Sequence, residues 1–307
     1  MTSIQAPSPH ARWFWIAAGS FVAVISLAAL SAPTAFATSH DQAGVGQIPE
    51  TTAPSTTVIA PHPISVTAIA QQMQTAIQAS SPGTSVGIDV VDTTTGAAIA
   101  SLNADEQFYT ASVVKLLIAL DALKTQNWQP DPDTTRQLTQ MLSTSDDDIA
   151  DVMWDNGGNN AIIDRMVATI GLTATTAPED TAQWGETLTT PRDVVSVFHY
   201  ITTAIPAPAR DLIVGALHNA SQTAADGTDQ YFGIPDALTG ANWAVKQGWM
   251  DLNSSTTLDT TGLVSPSPDQ PYRYTVVVLS TQPAGTSWSV AGAALTAGVT
   301  LLHATLK

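Results

Sequence analysis

The sequence contains no cysteine among its 307 residues. Disulfide bonds, a cysteine nucleophile, cysteine-ligated zinc and a lipidated N-terminal cysteine are therefore excluded for this chain. Charge is also scarce, because only 12% of the residues are Asp, Glu, Lys or Arg, and the formal net charge is -16. So acidic a chain is a poor ligand for nucleic acid or for an anionic membrane surface. Hydrophobic residues make up 44% of the chain, which suffices for a substantial core.

The longest hydrophobic run lies at the N-terminus. Arg12 precedes an apolar stretch over residues 13–30, and small residues follow it up to Ala37. Residues 1–37 thus have the three parts of a secretory signal, although the run is also long enough to remain as a membrane anchor. Both interpretations place the rest of the chain outside the cytoplasm, either secreted or held at the cytoplasmic membrane. Residues 38–65 are rich in Pro, Thr and Ser and predict a tether without chemistry.

The remaining part, residues 66–307, predicts one domain of the α+β class. A helix and two strands come first, helices dominate from about 112 to 235, and three strands and a last helix follow. This order predicts an antiparallel sheet, flanked by N- and C-terminal helices and interrupted by an all-helical subdomain. The cleft between sheet and subdomain is the expected binding site. The strands are predicted at 85–92, 97–102, 242–250, 256–263 and 272–281, and the last helix at 287–306.

One apolar helix contains a single charge. Between Val113 and Leu120 every residue except Lys115 is apolar, which predicts a buried helix. A buried ammonium without a partner is costly, and a lowered pKa then yields a neutral amine that acts as a base. Ser112 lies three residues earlier, at the predicted start of the helix and on the same face. Such an amine can activate a serine nucleophile, and the helix N-terminus favours an oxyanion.

The same two residues also fit a structural interpretation. Ser112 would cap the helix, and the stem of Lys115 would carry its ammonium to solvent. Two further motifs favour chemistry, because SVVK at 112–115 is followed by SDD at 145–147 and KQG at 246–248. This order resembles the S-x-x-K, S-D-N and K-T-G motifs of the class A β-lactamases and penicillin-binding proteins. The segments FYTASVVKLLIAL and LTTPRDVV resemble the same serine hydrolase family, of which the chain looks like a divergent member.

The resemblance implies a β-lactamase/DD-peptidase-like fold over residues 66–307 and a set of catalytic roles. Ser112 would attack a carbonyl and become acylated, while Lys115 would take or relay its proton. Ser145 would bridge Lys115 to the leaving group. Lys246 would complete a positive cluster that orders Ser145 and attracts an anionic substrate.

The resemblance also implies a substrate-binding wall, and the chain departs from the family there. The backbone N–H groups of Ser112 and Trp249 would form the oxyanion hole, and Gly248 would let the substrate approach the strand closely. Asp147 stands where the family has Asn, so a group that donates becomes a carboxylate that only accepts. It can also hold Lys115 protonated. Gln247 stands where the family has a hydroxyl that meets the substrate carboxylate.

Two roles of the family depend on residues outside the three motifs. Class A enzymes deacylate with a glutamate, and here residues 175–191 contain Glu179 and Glu186, neither in the family's E-x-x-L-N context. Glu186 is too close to Thr189, so Glu179 is the candidate deacylation base, with an exposed loop charge as the alternative. Without such a base an acyl-enzyme persists. Arg273 is the candidate carboxylate-binding arginine, with a solvated strand-end charge as the alternative.

Other catalytic patterns are missing from the sequence. It contains no G-x-S-x-G elbow, H-E-x-x-H, P-loop or Rossmann glycine pattern, and Asp146–Asp148 lack the spacing of a calcium loop. We therefore expect no metal and no cofactor. The leading hypothesis is an exported, monomeric serine hydrolase or acyltransferase that acts on an amide or ester, of peptidoglycan-peptide or β-lactam type, in a small molecule or peptide. The alternative is a β-lactamase-like binding domain that has lost turnover.

Overall fold

The computed structural model describes residues 65–306. The interpretations of residues 1–37 as a secretory signal or membrane anchor, and of residues 38–64 as a tether, lie outside this part of the chain. None of the helices between residues 65 and 306 is long and apolar enough to cross a bilayer.

Five strands form one antiparallel sheet with the spatial order β2-β1-β7-β6-β5. All five were predicted, and each observed boundary lies within two residues of the expected one. The third and fourth strands of this order are buried on both faces, which is typical of a sheet covered by helices on each side. The strands are β1 (Ser85–Asp92), β2 (Ala97–Leu102), β5 (Trp243–Asp251), β6 (Ser255–Val264) and β7 (Tyr274–Pro283). A separate two-stranded ribbon pairs β3 (Phe108–Tyr109) with β4 (Leu188–Thr189).

The helices lie in two groups, one on each face of the sheet. The first and last helices, α1 (Val66–Ser80) and α9 (Trp288–Val299), pack together and share one core with that face of the sheet. The observed last helix is shorter than the predicted one at 287–306, because a 3-10 turn replaces it from Thr300. The inserted helices of the second group are α2 (Lys115–Thr125), α3 (Pro132–Ser143), α4 (Asp147–Asn156), α5 (Asn160–Ile170), α6 (Pro191–Thr203) and α7 (Ala207–His218). The short helix α8 (Ile234–Ala237) packs against α9 and shares the core of the first group.

Side-chain caps fix where several helices begin. Five residues accept a hydrogen bond from the backbone N–H three positions later, which satisfies a donor that the helix itself leaves free. These caps are Ser65, Asp131, Asp146, Thr190 and Ser287. The cap at Asp146 starts α4 directly after Ser145, so the SDD motif lies at a helix N-terminus.

Helix α2 forms the centre of the second core, which lies between the other face of the sheet and the inserted helices. A buried ion pair holds α2 against α5. The Arg165 guanidinium binds both carboxylate oxygens of Asp121 at 2.8 and 2.7 Å and donates to the Gly157 carbonyl at 2.7 Å. The Asp121 side chain is 3% exposed and that of Arg165 is 42% exposed. The carboxylate therefore depends on Arg165 for its neutralisation.

We expect Arg165→Ala to lower the free energy of unfolding by about 2 kcal/mol, because it leaves the Asp121 carboxylate buried and unpaired. The measurement is denaturant-induced unfolding of the purified protein. Arg136→Ala is the matched control, since Arg136 pairs with Asp133 at the surface, where the two side chains are 67% and 78% exposed. That loss should stay below about 0.5 kcal/mol. Equal losses in the two variants would contradict the role given to the buried pair.

Candidate active site

Ser112 lies in a turn of 3-10 helix, Ala111–Val114, and α2 begins only at Lys115. The sequence predicted a helix that starts at Ser112, so the observed start is three residues later. The difference has a geometric consequence, because a 3-10 helix has three residues per turn and residues i and i+3 eclipse each other. The Lys115 Nζ accordingly lies 2.6 Å from the Ser112 Oγ. The prediction that hydroxyl and amine share one face is confirmed.

The Lys115 side chain is completely buried, and its amine has three close acceptors. These are the Asp147 Oδ1 at 2.5 Å, the Ser112 Oγ at 2.6 Å and the Ser145 carbonyl oxygen at 3.1 Å. An ammonium group has three hydrogens, so each of them finds an acceptor. Burial lowers the pKa of Lys115, and the Asp147 carboxylate acts against this shift by favouring the ammonium. The structure thus joins Asp147 to Lys115 without taking the amine away from Ser112.

Ser145 connects the first and third motifs. Its Oγ accepts from the Lys246 Nζ at 2.9 Å and lies 3.5 Å from the Lys115 Nζ. Its backbone has a left-handed φ of 56°, and Ala111, the neighbour of Ser112, has a φ of 40°. Each such conformation costs a non-glycine residue on the order of 1–3 kcal/mol and persists only where the surroundings impose it. Both strained residues adjoin the Ser112–Lys115 pair.

Lys246 extends from the sheet into the same cluster and is also buried. Besides the Ser145 hydroxyl, its Nζ contacts the carbonyl oxygen of Gln247 at 2.9 Å. Burial lowers the pKa of Lys246 well below its ordinary value, and the charge of Lys115 lowers it further. The four predicted catalytic side chains therefore form one continuous buried chain of contacts, from Ser112 through Lys115 and Ser145 to Lys246.

Gly248 allows strand β5 to pass against the 3-10 turn Ala111–Val114, which we call the nucleophile turn because it contains Ser112. A Cβ atom at this position would lie 2.8 Å from the Thr110 carbonyl oxygen, so any larger residue would push the strand and the turn apart. The space that was expected to admit substrate is filled by the chain's own backbone. Because of this close approach, Ser112 and Trp249 lie on adjacent segments, and the oxyanion hole formed by their backbone N–H groups stays a prediction.

A buried carboxyl group lies beneath this glycine and was not predicted. Asp259 is opposite Gly248 in the register of β5 and β6, and its Oδ2 would be 3.2 Å from a Cβ at Gly248. Its Oδ1 accepts from the Ser280 backbone N–H at 2.9 Å. Burial raises the pKa of Asp259 well above its ordinary value, which favours the uncharged acid.

The prediction that the Gln247 side chain meets the substrate is corrected. Successive strand residues point to opposite faces, so a residue between Lys246 and Gly248 points away from the nucleophile. The Gln247 Nε2 donates to the carbonyls of Gln230 and Phe232 at 3.2 and 2.6 Å, and the side chain is fully buried. It holds the segment before α8 onto the sheet.

The prediction that Arg273 binds the substrate is also corrected. Its guanidinium donates to the Asp92 carboxylate, with the shorter contact at 2.8 Å, and that side chain lies at the end of β1. The next residue, Tyr274, is opposite Val264, which in turn is opposite Trp243 at the start of β5. This register puts Arg273 four residues, or about 13 Å, along the strands from Lys246 and two strands away.

Two tryptophans cover the lysines, and the motif comparison did not find this role. The Lys115 Nζ lies 4.5 Å from the ring centre of Trp184, whose Nε1 donates to the Asp151 carboxylate at 2.7 Å. The Lys246 Nζ lies 5.8 Å from the ring of Trp249, whose Nε1 donates to the Asp226 carboxylate at 2.9 Å. Such rings attract cations. The sequence offered one indication of this role for Trp184, because it is a bulky aromatic residue in the otherwise polar loop before α6.

The loop that should supply a deacylation base touches the nucleophile turn through Trp184–Glu186. A Cβ at Gly185 would be 3.6 Å from the Ala111 Cα, so this part of the loop lies on the turn itself. Glu179 is exposed and lies earlier in the loop. Glu186 is half-buried, and burial raises its pKa. Over residues 65–306, no group of three or more His, Asp or Glu side chains is arranged to hold a metal ion.

Comparison with known proteins identifies the family of the chain. The model of the beta-lactamase enzyme family matches residues 68–135 and 129–297. The chain belongs to this family. It is 32% identical over 214 residues to "Putative lipoprotein LppW" of Mycobacterium tuberculosis and of Mycobacterium bovis. The match covers 67% of this chain and 66% of each relative, just under two thirds of the relatives' length.

Solved structures confirm the predicted β-lactamase/DD-peptidase-like fold at low sequence identity. A beta-lactamase from Streptosporangium roseum has a TM-score of 0.62 and 16% identity, over 78% of this chain and 98% of that one. An acyl-enzyme complex of a PBP-A variant with penicillin G has a TM-score of 0.59 and 17% identity, over 76% of this chain and 95% of that one. The chain is thus a divergent member of a family that includes β-lactamases and penicillin-binding proteins.

We expect Asp147→Asn to lower the pKa of Lys115 further, because it removes the carboxylate that favours the ammonium and leaves the burial unchanged. The neutral amine would then be populated at lower pH. Side-chain NMR of isotopically labelled lysine, followed as a function of pH, measures this pKa. Asp148→Asn is the control, since it removes the same charge from the next, exposed position and should shift the pKa less. A pKa that is the same in both variants would contradict the assignment.

Proposed function

We propose that the protein is an exported serine hydrolase or acyltransferase that forms an acyl-enzyme on Ser112. The observation that carries the proposal is the 2.6 Å contact between the Ser112 Oγ and the buried Lys115 Nζ. Membership of the beta-lactamase enzyme family supports it. The substrate would be an amide or ester of peptidoglycan-peptide or β-lactam type.

In the proposed acylation, the Ser112 Oγ attacks the carbonyl carbon while Lys115 accepts its proton. An ammonium group cannot accept a proton, so Lys115 must first release one. The Asp147 Oδ1 at 2.5 Å is its nearest acceptor, and the Asp147 side chain is 55% exposed, so it can pass a proton to water. The backbone N–H groups of Ser112 and Trp249 would stabilise the oxyanion. Ser145, which contacts both lysines, would deliver a proton to the leaving group as the carbon–leaving-group bond breaks.

The proposal includes a persistent acyl-enzyme. The loop before α6 lays the ring of Trp184 on Lys115, and an indole cannot take a proton from water. Glu179, the predicted base, is exposed and lies earlier in that loop. An acyl group on Ser112 would then lack the base that was predicted to activate water, so transfer to another acceptor or slow hydrolysis would end the cycle.

Export is supported by two observations. The N-terminal sequence has the parts of a secretory signal or anchor, and the mycobacterial relatives carry the name of a lipoprotein. We propose an extracytoplasmic location, where peptidoglycan peptides and β-lactams are accessible.

A binding domain without turnover remains the second candidate. It is favoured by the burial of the site, because Ser112 is only 4% exposed and its hydroxyl is engaged by Lys115. This candidate predicts that Ser112→Ala leaves ligand binding intact.

The test of acylation is covalent labelling. A fluorophosphonate and a fluorescent penicillin should each add mass at Ser112, and Ser112→Ala should abolish the addition. Lys115→Met should slow labelling by about 100-fold or more, because it removes the general base. Lys124→Met is the matched control, since this lysine lies on the same helix but is exposed, and its labelling rate should not change. Failure of both reagents to label the folded wild-type protein would sink the proposal.

The lifetime of the adduct tests the proposed persistence of the acyl-enzyme. After excess penicillin is removed, mass spectrometry should show an adduct on Ser112 that decays slowly, with the same lifetime in Glu179→Ala. The contrary outcome is fast turnover of a chromogenic cephalosporin that Glu179→Ala abolishes. That result would identify a true β-lactamase with Glu179 as its base.

A further inference from the structure

Resting on the proposed function, we infer that the Ser112 site prefers substrates that carry a positive charge beside the scissile bond over anionic ones. The resemblance alone implies the reverse, a site that uses Lys246 to attract a carboxylate. The charges that surround the four catalytic side chains are arranged differently.

The positive groups lie inside the site and face other groups of the protein. Lys115 and Lys246 are both buried, and their amines are engaged by Ser112, Ser145, Asp147 and the Gln247 carbonyl. The Lys115 amine also lies 4.5 Å from the ring centre of Trp184, and the Lys246 amine lies 5.8 Å from that of Trp249. A ligand that approaches from solvent therefore does not meet a free ammonium group first.

The negative groups lie outside them and are exposed. Asp147 contacts the Lys115 amine directly and keeps 55% of its side chain exposed. Asp151 and Asp226 hold the indoles of Trp184 and Trp249, and both carboxylates are at the surface. These three carboxylates border the site on the sides of α4 and of the loop before α8. These carboxylates outnumber the two lysines that they surround.

All five arginines in the described part of the chain are already ion-paired with aspartates, as Arg136–Asp133, Arg165–Asp121, Arg192–Asp105, Arg210–Asp211 and Arg273–Asp92. The Gln247 side chain, which occupies the position of the family's carboxylate-binding hydroxyl, faces away. The means of holding a carboxylate are thus weakened at the same site that carries the exposed acidic groups.

Exposed charges around a cleft change the rate at which charged ligands arrive, and salt weakens the effect. The test uses three fluorophosphonates of equal length that differ only in a terminal trimethylammonium, a neutral amide or a carboxylate. At low ionic strength the second-order rate constant for labelling Ser112 should fall in that order. The cationic probe should react about tenfold faster than the anionic one, and high salt should reduce this ratio towards one.

Variants locate the source of the preference. Asp226→Asn combined with Asp151→Asn keeps a hydrogen-bond acceptor for each indole and should lower the ratio of cationic to anionic rates about threefold. Asp133→Asn combined with Asp211→Asn removes the same charge from distant ion pairs and should leave the ratio unchanged. Because each ratio compares two probes on one variant, a uniform loss of reactivity does not alter it.

The outcomes separate the two proposals. Failure of all three probes to label Ser112 overturns this inference, and it removes the proposed function as well if the fluorescent penicillin also fails to label. Equal rates for the three probes, or a faster anionic probe, overturn the charge preference and leave acylation of Ser112 standing. If the distant double variant reduces the preference as much as the local one does, the preference comes from the overall charge of the protein. That result overturns its assignment to the site.

Discussion

The Lys115 ammonium lies wholly inside the domain, and the elements around it are placed so that each of its hydrogens has an acceptor. Leaving such a group unpaired would cost on the order of several kcal/mol. The serine of the 3-10 turn, the carbonyl that precedes α4 and the first carboxylate of α4 supply the acceptors. Lys246, on β5, contacts the same Ser145. The geometry around Lys115 therefore constrains three features together, which are the start of α2, the cap of α4 and the position of β5.

Two residues near Lys115 adopt left-handed backbone conformations to meet this constraint. Ala111 and Ser145 are not glycines, yet both have positive φ angles. The left-handed conformation of Ala111 turns the chain from β3 into the 3-10 helix, in which Ser112 and Lys115 eclipse each other. The strain at Ser145 turns the carbonyl and the hydroxyl of one residue towards the lysines. The hydrogen bonds and burial that follow offset the strain, which is why these conformations persist at the site.

Much of this arrangement could be predicted from the sequence, for physical reasons that also mark its limit. Strand and helix positions follow from the period of apolar residues, and the three motifs identify the residues that meet at Lys115. The direction of Gln247 was available from strand alternation, once Lys246 was taken to point inward. The partner of Arg273 was not, because Asp92 is 181 residues away and only the register of β1 and β7 joins them. The contact of Trp184 depends on the path of an irregular loop, which no periodic pattern encodes.

The exchange of an amide for a carboxylate at Asp147 links the acid–base chemistry to the charge of the site. An amide there would leave the ammonium less stabilised, and the neutral base would form more readily. The carboxylate instead favours the ammonium form of Lys115, against the effect of burial, and offers a half-exposed route for release of its proton. It also adds negative charge at the point where a substrate carboxylate would otherwise approach Lys246. A substrate with positive charge would be attracted to Asp147 and would weaken its hold on the Lys115 proton, so binding of such a substrate would itself favour the neutral amine. One residue would in this way couple recognition of the substrate to activation of the nucleophile.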